Sequence, residues 1–248
     1  MWQSRTELLL GKEKLAKLSA SNVLVVGLGG VGACAAELLC RAGVGRMTII
    51  DGDRVSISNI NRQLPALNST EGRFKTEVLA ERMFDVNPDL HLTVISEFIR
   101  DARITEILDN GFDYIVDAID TLTPKIYLIY RSMQTGIPVV SSMGAGGKLD
   151  PAAITISDIS KTYNCKLARM LRKRLHKLGI REGFTAVFSP EEVAPGSIEL
   201  TPGDRNKASN VGSISYMPPA FGCACASVVI RSLAQHNTGC SSLNTHGG

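Results

Sequence analysis

The sequence has few of the features that mark an exported or membrane protein. Its N-terminus, Met-Trp-Gln-Ser-Arg-Thr-Glu, lacks the basic-then-apolar pattern of a signal peptide. The most apolar late stretch, residues 217–230, contains prolines and is shorter than the roughly 20 residues that cross a bilayer. We therefore expect a cytoplasmic protein that does not contact a membrane.

Cysteine pairs and a strong net charge are missing as well. The six cysteines are scattered, so we expect free thiols rather than disulfides. A net charge of +3 is too small to indicate nucleic-acid binding, so a basic surface has to be sought locally. The composition that remains, with 44% hydrophobic residues, is that of a soluble globular protein. We expect one domain over residues 1–236 and a disordered tail over residues 237–248.

Strand and helix patterns alternate along most of the chain. Short apolar runs predict buried strands, and apolar residues at every third or fourth position predict helices. The alternation predicts an α/β fold with a Rossmann-like, doubly wound sheet, followed by a loop-rich segment over residues 183–215. The predicted strands are residues 22–26, 47–50, 91–96, 114–117, 137–141 and 153–157, and the predicted helices are residues 6–18, 31–42, 74–84, 104–110, 125–135 and 161–178.

The glycine run Gly27-Leu-Gly-Gly-Val-Gly32 follows the first predicted strand and begins a helix. In this context such a run is typical of a nucleotide site, although a glycine turn without a ligand is the alternative. Gly27 permits a tight turn, and Gly32 lets the helix pack closely on the strand. Gly29 and Gly30 let phosphates approach the backbone, where the helix start offers free N–H groups to an anion.

Polar residues further along distinguish ATP from a dinucleotide. Asp51 ends the second strand and can accept hydrogen bonds from ribose hydroxyls of either ligand. A triphosphate attacked by a carboxylate needs nearby cations, which Arg62 and Lys75 can supply. Asp120 can hold Mg²⁺, which prefers carboxylate and phosphate oxygens. Taken singly, Arg62 and Lys75 would be read as solvated surface residues. Together with Asp120 they favour ATP over an NAD-binding or non-catalytic nucleotide-binding protein.

These motifs resemble the ubiquitin-activating-enzyme-like adenylyltransferases, the superfamily of the ThiF, MoeB and HesA proteins. The matching residues are the glycine run, Asp51-Gly-Asp53, Ser58-Asn-Ile-Asn-Arg-Gln63, Lys75 and Asp117-Ala-Ile-Asp120. The resemblance implies adenylation of a carboxylate by ATP and Mg²⁺, a sheet that is parallel in its first half and mixed overall, and a homodimer.

The same resemblance implies the role of each site residue. Asp51 would bind the ribose, with Asp53 in the same site, and Asp120 would bind Mg²⁺. The residues that would bind the phosphates are Asn59, Arg62 and Lys75. Arg5 would reach the ATP of the partner subunit, although a frayed terminal arginine is the alternative.

Departures from the superfamily pattern indicate the acceptor. ThiF and MoeB proteins typically hold zinc with two Cys-x-x-Cys pairs, which this sequence lacks, so we expect no structural zinc. The segments Ser142-Met-Gly-Ala-Gly-Gly-Lys-Leu-Asp-Pro151 and Leu171-Arg-Lys-Arg-Leu175 resemble the transfer-RNA threonylcarbamoyladenosine dehydratases. This resemblance implies that ATP adenylates the threonylcarbamoyl carboxylate, after which an internal nucleophile displaces AMP and closes a ring.

An internal nucleophile makes a catalytic cysteine unnecessary. Relatives often have a cysteine just before the late Phe-Gly, where this chain has Met217. Cys165 could replace it, but a cysteine at a helix start is the simpler interpretation. The alternative function is adenylation of the C-terminal Gly-Gly of a small sulfur-carrier or ubiquitin-like protein, with a carrier or sulfur-transfer protein as partner.

The last predicted helix, residues 161–178, combines a leucine stripe with a run of cations. A cationic face on an anchored helix can bind RNA phosphates, although a solvated face is the ordinary interpretation of such a run. Together with the resemblance, the pattern predicts contact with transfer RNA. The predicted RNA-binding residues are Arg169, Arg172, Lys173 and Arg174.

Overall fold

The computed structural model describes residues 2–200 and 209–235. The helices of this part of the chain are α1 Ser4–Leu10, α2 Lys12–Ala20, α3 Gly32–Ala42, α4 Lys75–Val86, α5 Asp101–Leu108, α6 Leu122–Thr135, α7 Lys166–His176 and α8 Met217–Gln235. The strands are β1 Asn22–Val26, β2 Arg46–Ile50, β3 His91–Ile95, β4 Tyr114–Asp117, β5 Val139–Ser142, β6 Thr155–Asp158, β7 Thr185–Phe188, β8 Ile198–Leu200 and β9 Ser209–Val211. The predicted disordered tail lies outside the described residues.

Seven strands form one sheet in the order β3-β2-β1-β4-β5-β7-β6. Neighbouring strands are parallel except for β6, which pairs with β7 in the antiparallel direction. The prediction of a Rossmann-like sheet, parallel at first and mixed overall, is confirmed. The strand order reverses direction between β1 and β4, and ligands of such sheets bind beside the carboxyl ends of the strands at that point.

Helices cover both faces of this sheet, and alternate residues of each strand point to opposite faces. Val23 and Val25 of β1 belong to a core shared with α3, α4 and α8. Leu24 and Val26 belong to a second core shared with α5, α6 and α7. Both cores are built from buried apolar side chains, most of them aliphatic, so the strand ends between them are held firmly in place.

Two helix predictions were wrong in their boundaries. The predicted helix over residues 6–18 is two helices, because Gly11 has a φ of 84° and ends α1. The predicted helix over residues 161–178 begins only at Lys166. Asn164 has a φ of 50°, which interrupts a right-handed helix, and a short turn at Ile159–Lys161 precedes it.

The predicted loop-rich segment, residues 183–215, was wrong in part. It contains β7, whose buried residues lie between β5 and β6 inside the main sheet. It also contains the two-stranded hairpin of β8 and β9. A buried strand of four residues has no periodicity to detect, and only its flanking Gly183 and Pro190 marked its ends.

The apolar stretch at residues 217–230 belongs to helix α8, which extends to Gln235. Its prolines, Pro218 and Pro219, occupy the first turn of the helix, where proline is tolerated. Within the described residues it is the one helix long and apolar enough to cross a membrane, with 19 residues and a mean hydropathy of 1.3. Half of that window is buried in the protein, and α8 packs on α3 through Phe221 and Gly222. A buried core helix explains this composition.

Candidate nucleotide site

The glycine run forms the turn between β1 and α3, at the carboxyl end of β1. Gly27 has a φ of 87°, and a side chain there would lie 2.7 Å from the carbonyl oxygen of Ala118. A side chain on Gly32 would lie 1.7 Å from the carbonyl oxygen of Gly27. The predicted roles of Gly27 and Gly32, a tight turn and a close helix contact, therefore agree with the geometry.

Gly29 and Gly30 differ from each other in their surroundings. A side chain on Gly30 would lie 2.7 Å from Cβ of Pro218 and 2.8 Å from the carbonyl oxygen of Arg62, so protein packing already demands glycine there. A side chain on Gly29 would meet only Nε2 of Gln63, at 3.8 Å. The backbone at Gly29 is thus the more accessible of the two to a phosphate.

Asp51 lies next to this turn and is held by backbone hydrogen bonds. Its Oδ2 accepts from the Leu28 N–H at 2.6 Å, and its Oδ1 accepts from the Asp53 N–H at 2.7 Å. Burial raises the pKa of the Asp51 carboxyl above its ordinary value, and the nearby Lys75 ammonium and these N–H groups offset only part of that rise. The two N–H groups fix the carboxylate in one orientation, which suits a group that binds ribose hydroxyls.

Lys75 begins α4 and is tied to the same loop. Its Nζ lies 2.8 Å from Oδ2 of Asp53, and its N–H donates to the Asp53 carbonyl at 3.1 Å. The Lys75 side chain is only 5% exposed, whereas that of Asp53 is 53% exposed. An almost buried ammonium is therefore paired with Asp53 and lies near enough to Asp51 to lower the pKa of that carboxyl.

Asn59 and Arg62 lie on the loop that follows β2. The Asn59 Oδ1 accepts the Ser56 N–H at 3.2 Å and stabilises a short turn, so only its Nδ2 can donate to a phosphate. One nitrogen of Arg62 donates to the Ser58 carbonyl at 2.9 Å and to Asn61 at 2.8 Å. Arg62 and Gly30 line the same groove, which has a volume of about 310 Å³.

A buried ion pair beneath the site escaped the sequence analysis. Asp117 and Lys125 are fully buried, with Lys125 Nζ 2.8 Å from Asp117 Oδ2. The ammonium also donates to the carbonyls of Ile119 and Ser142, and the carboxylate accepts from Ser141 Oγ at 2.7 Å. Asp117 was part of the recognised motif, but nothing local in the sequence shows that a lysine on the next helix reaches back to it.

Asp120 follows this pair at the carboxyl end of β4 and is exposed. The Ala118 N–H donates to the Val26 carbonyl at 2.9 Å, which holds the β4 loop against the glycine turn. The predicted metal ligand therefore lies on the edge of the sheet that carries Asp51 and Lys75.

Arg5 is the predicted site residue that the fold does not bring to the glycine turn. It lies on α1, and the neighbouring Gln3 side chain packs against Gly43 at the C-terminal end of α3. The glycine turn is at the other end of α3, and an 11-residue helix is about 16 Å long. An arginine side chain does not span that distance.

The cations of α7 face two ways. Leu171, Leu175 and Ala168 are buried against the second core, which leaves Arg169, Lys173 and Arg174 exposed. Arg172 is different, because its Nη1 donates to the Thr162 carbonyl at 2.8 Å and to the Thr162 hydroxyl. Arg172 thus secures the loop before α7 rather than projecting with the others.

The five cysteines in the described part of the chain are free thiols. Burial raises the pKa of Cys34 and of Cys225 to about 12, and that of Cys40 to about 11. Cys165 is 9% exposed and precedes the first residue of α7, as the interpretation of a helix-start cysteine predicts. None of these four thiols is arranged as an exposed nucleophile.

Comparisons with known proteins agree with this arrangement. The ThiF family matches residues 3–246. The tRNA threonylcarbamoyladenosine dehydratase of Bacillus subtilis (strain 168) is 44% identical over 188 residues, which cover 76% of this chain and 74% of that protein. The Escherichia coli (strain K12) protein of that name is 34% identical over 94% of both chains. The crystal structure of the E. coli enzyme in complex with ATP matches with a TM-score of 0.84 over 92% of both chains. The chain therefore belongs to the ThiF family, in the group that contains the tRNA threonylcarbamoyladenosine dehydratases.

Proposed function

We propose that this protein is an ATP-dependent tRNA threonylcarbamoyladenosine dehydratase. One observation carries the proposal. The glycine turn, Asp51, Lys75 and Arg62 lie together where the strand order reverses between β1 and β4. The whole fold matches that of a dehydratase solved with ATP. A carboxylate oxygen of the RNA side chain attacks the α-phosphorus of ATP, and pyrophosphate leaves. A nucleophile of the same side chain then attacks the activated carbonyl, so that AMP leaves and a ring closes.

The residues of the site divide this work by charge. Asp51 accepts hydrogen bonds from the ribose hydroxyls, and the N–H groups at the start of α3 face the phosphates. Lys75 and Arg62 neutralise phosphate oxygens while the carboxylate approaches, with Nδ2 of Asn59 as a further donor. Because these groups are already fixed by hydrogen bonds, they need little reorganisation when charge develops on the leaving pyrophosphate.

The donor set fits Mg²⁺, which would be held by Asp120. Mg²⁺ usually takes one or two protein carboxylates and completes its coordination with phosphate oxygens and water. In the described part of the chain, no three His, Cys, Asp or Glu side chains are grouped to hold a metal by themselves. A single exposed carboxylate beside the phosphate site suits this mode of binding. The ion supplies charge neutralisation of the phosphates when it is bound.

The exposed cations of α7 form the proposed RNA surface. Arg169, Lys173 and Arg174 lie on the solvent side of a helix whose leucines anchor it to the core. Arg172, which the sequence analysis placed with them, acts indirectly by securing the loop at Thr162. Three exposed cations on one rigid helix would bind successive RNA phosphates.

A homodimer completes the site in this proposal, with Arg5 reaching the ATP of the partner subunit. Arg5 cannot reach the glycine turn of its own subunit, because Gln3 packs on Gly43 at the other end of α3. Helix α1 also exposes Leu8 and Leu9, at 89% and 83%, and such an apolar face is usually covered by a partner. We further propose one adenylyltransferase domain over residues 1–236 and a cytoplasmic location, where transfer RNA is modified.

Mixed dimers test the role of Arg5. Subunits with Arg5→Ala are combined with subunits carrying Lys75→Ala, each variant being inactive alone. If Arg5 acts in trans, each mixed dimer has one intact site, so random exchange restores about a quarter of wild-type activity. If Arg5 acts in its own subunit, every site stays defective and no activity returns. Lys12→Ala, an exposed cation on α2, is the control: mixed with Lys75→Ala in place of Arg5→Ala, it should give about half of wild-type activity, as wild-type subunits would.

The proposed function is tested by following AMP and pyrophosphate release with purified components. We expect release that depends on threonylcarbamoylated transfer RNA and a loss of one water from the modified nucleoside, read by mass spectrometry. Unmodified transfer RNA is the control and should give no release. If release required a carrier protein ending in Gly-Gly and not the RNA, the alternative function would replace this one.

A further inference from the structure

Residues 211–218, which we call the strap, cross the carboxyl edge of the sheet beside the nucleotide site. The Gly212 carbonyl accepts the Gly147 N–H at 2.7 Å, which attaches the strap to the loop after β5. The Ser213 carbonyl accepts from Asn61 Nδ2 at 3.0 Å, which attaches it to the loop after β2. Pro218, at the other end, packs on Gly30 of the glycine turn. The strap therefore connects the phosphate-binding side of the site with the β5 side.

Tyr216 is an aromatic residue on the strap, and its ring is fixed in position. Its hydroxyl donates to the Leu149 carbonyl at 2.9 Å, while the residue remains 46% exposed. Leu149, whose carbonyl this hydroxyl contacts, and Ile214, two residues before Tyr216, are also exposed, at 63% and 39%, so exposed apolar residues accompany the ring. A Tyr held by its hydroxyl keeps a rigid apolar face toward solvent, which is a form of surface that binds planar groups.

The position of Tyr216 relates this surface to the reaction. Ser215 and Pro219, on either side of it, line the same groove as Arg62 and Gly30. The acceptor carboxylate must come within bonding distance of the α-phosphate near that turn. The base that carries the side chain must then lie within a few bond lengths of the site, on the side away from the ATP ribose at Asp51.

Other exposed aromatic residues of the described chain lie elsewhere. The Phe98 ring packs on Gly52, beside Asp51, and so faces the ribose side. Tyr163 lies edge-on against Phe188 of β7, with ring centroids 5.6 Å apart. Trp2 precedes α1, far from the glycine turn. Tyr216 is thus the described aromatic residue placed next to the site on the acceptor side.

We propose that the Tyr216 ring, flanked by Leu149 and Ile214, is the stacking surface for the base of the acceptor nucleoside. Proteins read unpaired RNA bases largely by stacking them on aromatic side chains. The cationic helix α7 has no exposed Phe, Tyr or Trp of its own, so in this proposal it holds the backbone while Tyr216 holds the base. This inference rests on the proposed function.

The test compares variants of Tyr216 in the ring-closure assay with threonylcarbamoylated transfer RNA. Tyr216→Ala should raise KM for the RNA about tenfold or more, because a base–aromatic stack is lost. The affinity for ATP and kcat at saturating RNA should stay within about twofold of the wild-type values. Tyr216→Phe should restore KM, since it keeps the ring and loses only the hydrogen bond to Leu149. Tyr216→Leu should resemble alanine, since it keeps apolar area without an aromatic face.

Phe84→Ala is the matched control, because Phe84 on α4 is exposed to a similar extent, 43%, and lies away from the strap. An unchanged KM in Tyr216→Ala overturns the inference, and so does a Tyr216→Phe variant as impaired as alanine, which would assign the effect to the strap's anchor. A wild-type protein that releases no AMP with this RNA contradicts the proposed function itself. A defect of Tyr216→Ala with a Gly-Gly carrier but not with RNA would mean that the surface binds a protein.

Discussion

Replacing either Asp120 or Lys75 with alanine is expected to lower the rate of adenylation by about several hundred-fold. That factor corresponds to roughly 2.7–4 kcal/mol, the loss that follows removal of one preorganised group from a charged transition state. Lys75→Ala would remove the ammonium that pairs with Asp53 and lowers the pKa of Asp51, so the site would present carboxylates to an incoming triphosphate. Asp120→Ala would remove the carboxylate that we propose as the Mg²⁺ ligand. The measurement is pyrophosphate release in single-turnover conditions.

Two further variants separate charge neutralisation from folding. Asp53→Asn removes the partner of Lys75 but leaves the ammonium in place, so its effect should be much smaller than that of Lys75→Ala. Asp109→Ala, an exposed acid at the end of α5, is the control for Asp120→Ala. Thermal unfolding of all four proteins shows whether the fold is retained. Near-normal turnover in both Lys75→Ala and Asp120→Ala would contradict the assignment of the site.

The nucleotide half of the site was predictable because its signals are local. The turn from Gly27 to Gly32 and the acid at Asp51 each sit at the end of an apolar strand, so their positions follow from counting along the chain. Parallel pairing in the sheet then places the carboxyl ends of β1, β2 and β4 side by side. The residues named from these motifs accordingly lie on one side of the sheet, with Arg5 as the exception.

Features that depend on distant contacts were not predictable. Pro218 leaves no room for a side chain at position 30, although it lies 188 positions later in the sequence. No sequence pattern near either residue predicts this contact. Arg172 has the same sequence character as its neighbours on α7, and only the fold of the preceding loop directs it to Thr162. β7 is too short for a periodicity. The strap has none, so its path across the site could be seen only in three dimensions.

Lys125→Met is expected to destabilise the protein by about 3–5 kcal/mol, the cost of leaving a buried carboxylate without its partner. Both members of this pair are fully buried, and the ammonium joins α6 to the ends of β4 and β5 through the carbonyls of Ile119 and Ser142. Methionine fills a similar volume but donates nothing, so Asp117 would keep only the hydrogen bonds from Ser141 and the Ile119 N–H. Urea unfolding followed by circular dichroism measures the loss.

A double variant shows whether the cost lies in the unpaired charge or in lost packing. Lys125→Met combined with Asp117→Leu should recover much of the stability, because replacing both partners of a buried pair with apolar residues is often nearly neutral. Arg103→Met, which breaks an exposed pair with Glu97, is the control and should change stability little. If Lys125→Met alone unfolded at the wild-type urea concentration, the pair would not stabilise the fold.

The double variant should fold yet bind ATP less tightly. The β4 loop packs on Gly27 through Ala118, and without the ion pair the glycine turn loses a fixed neighbour.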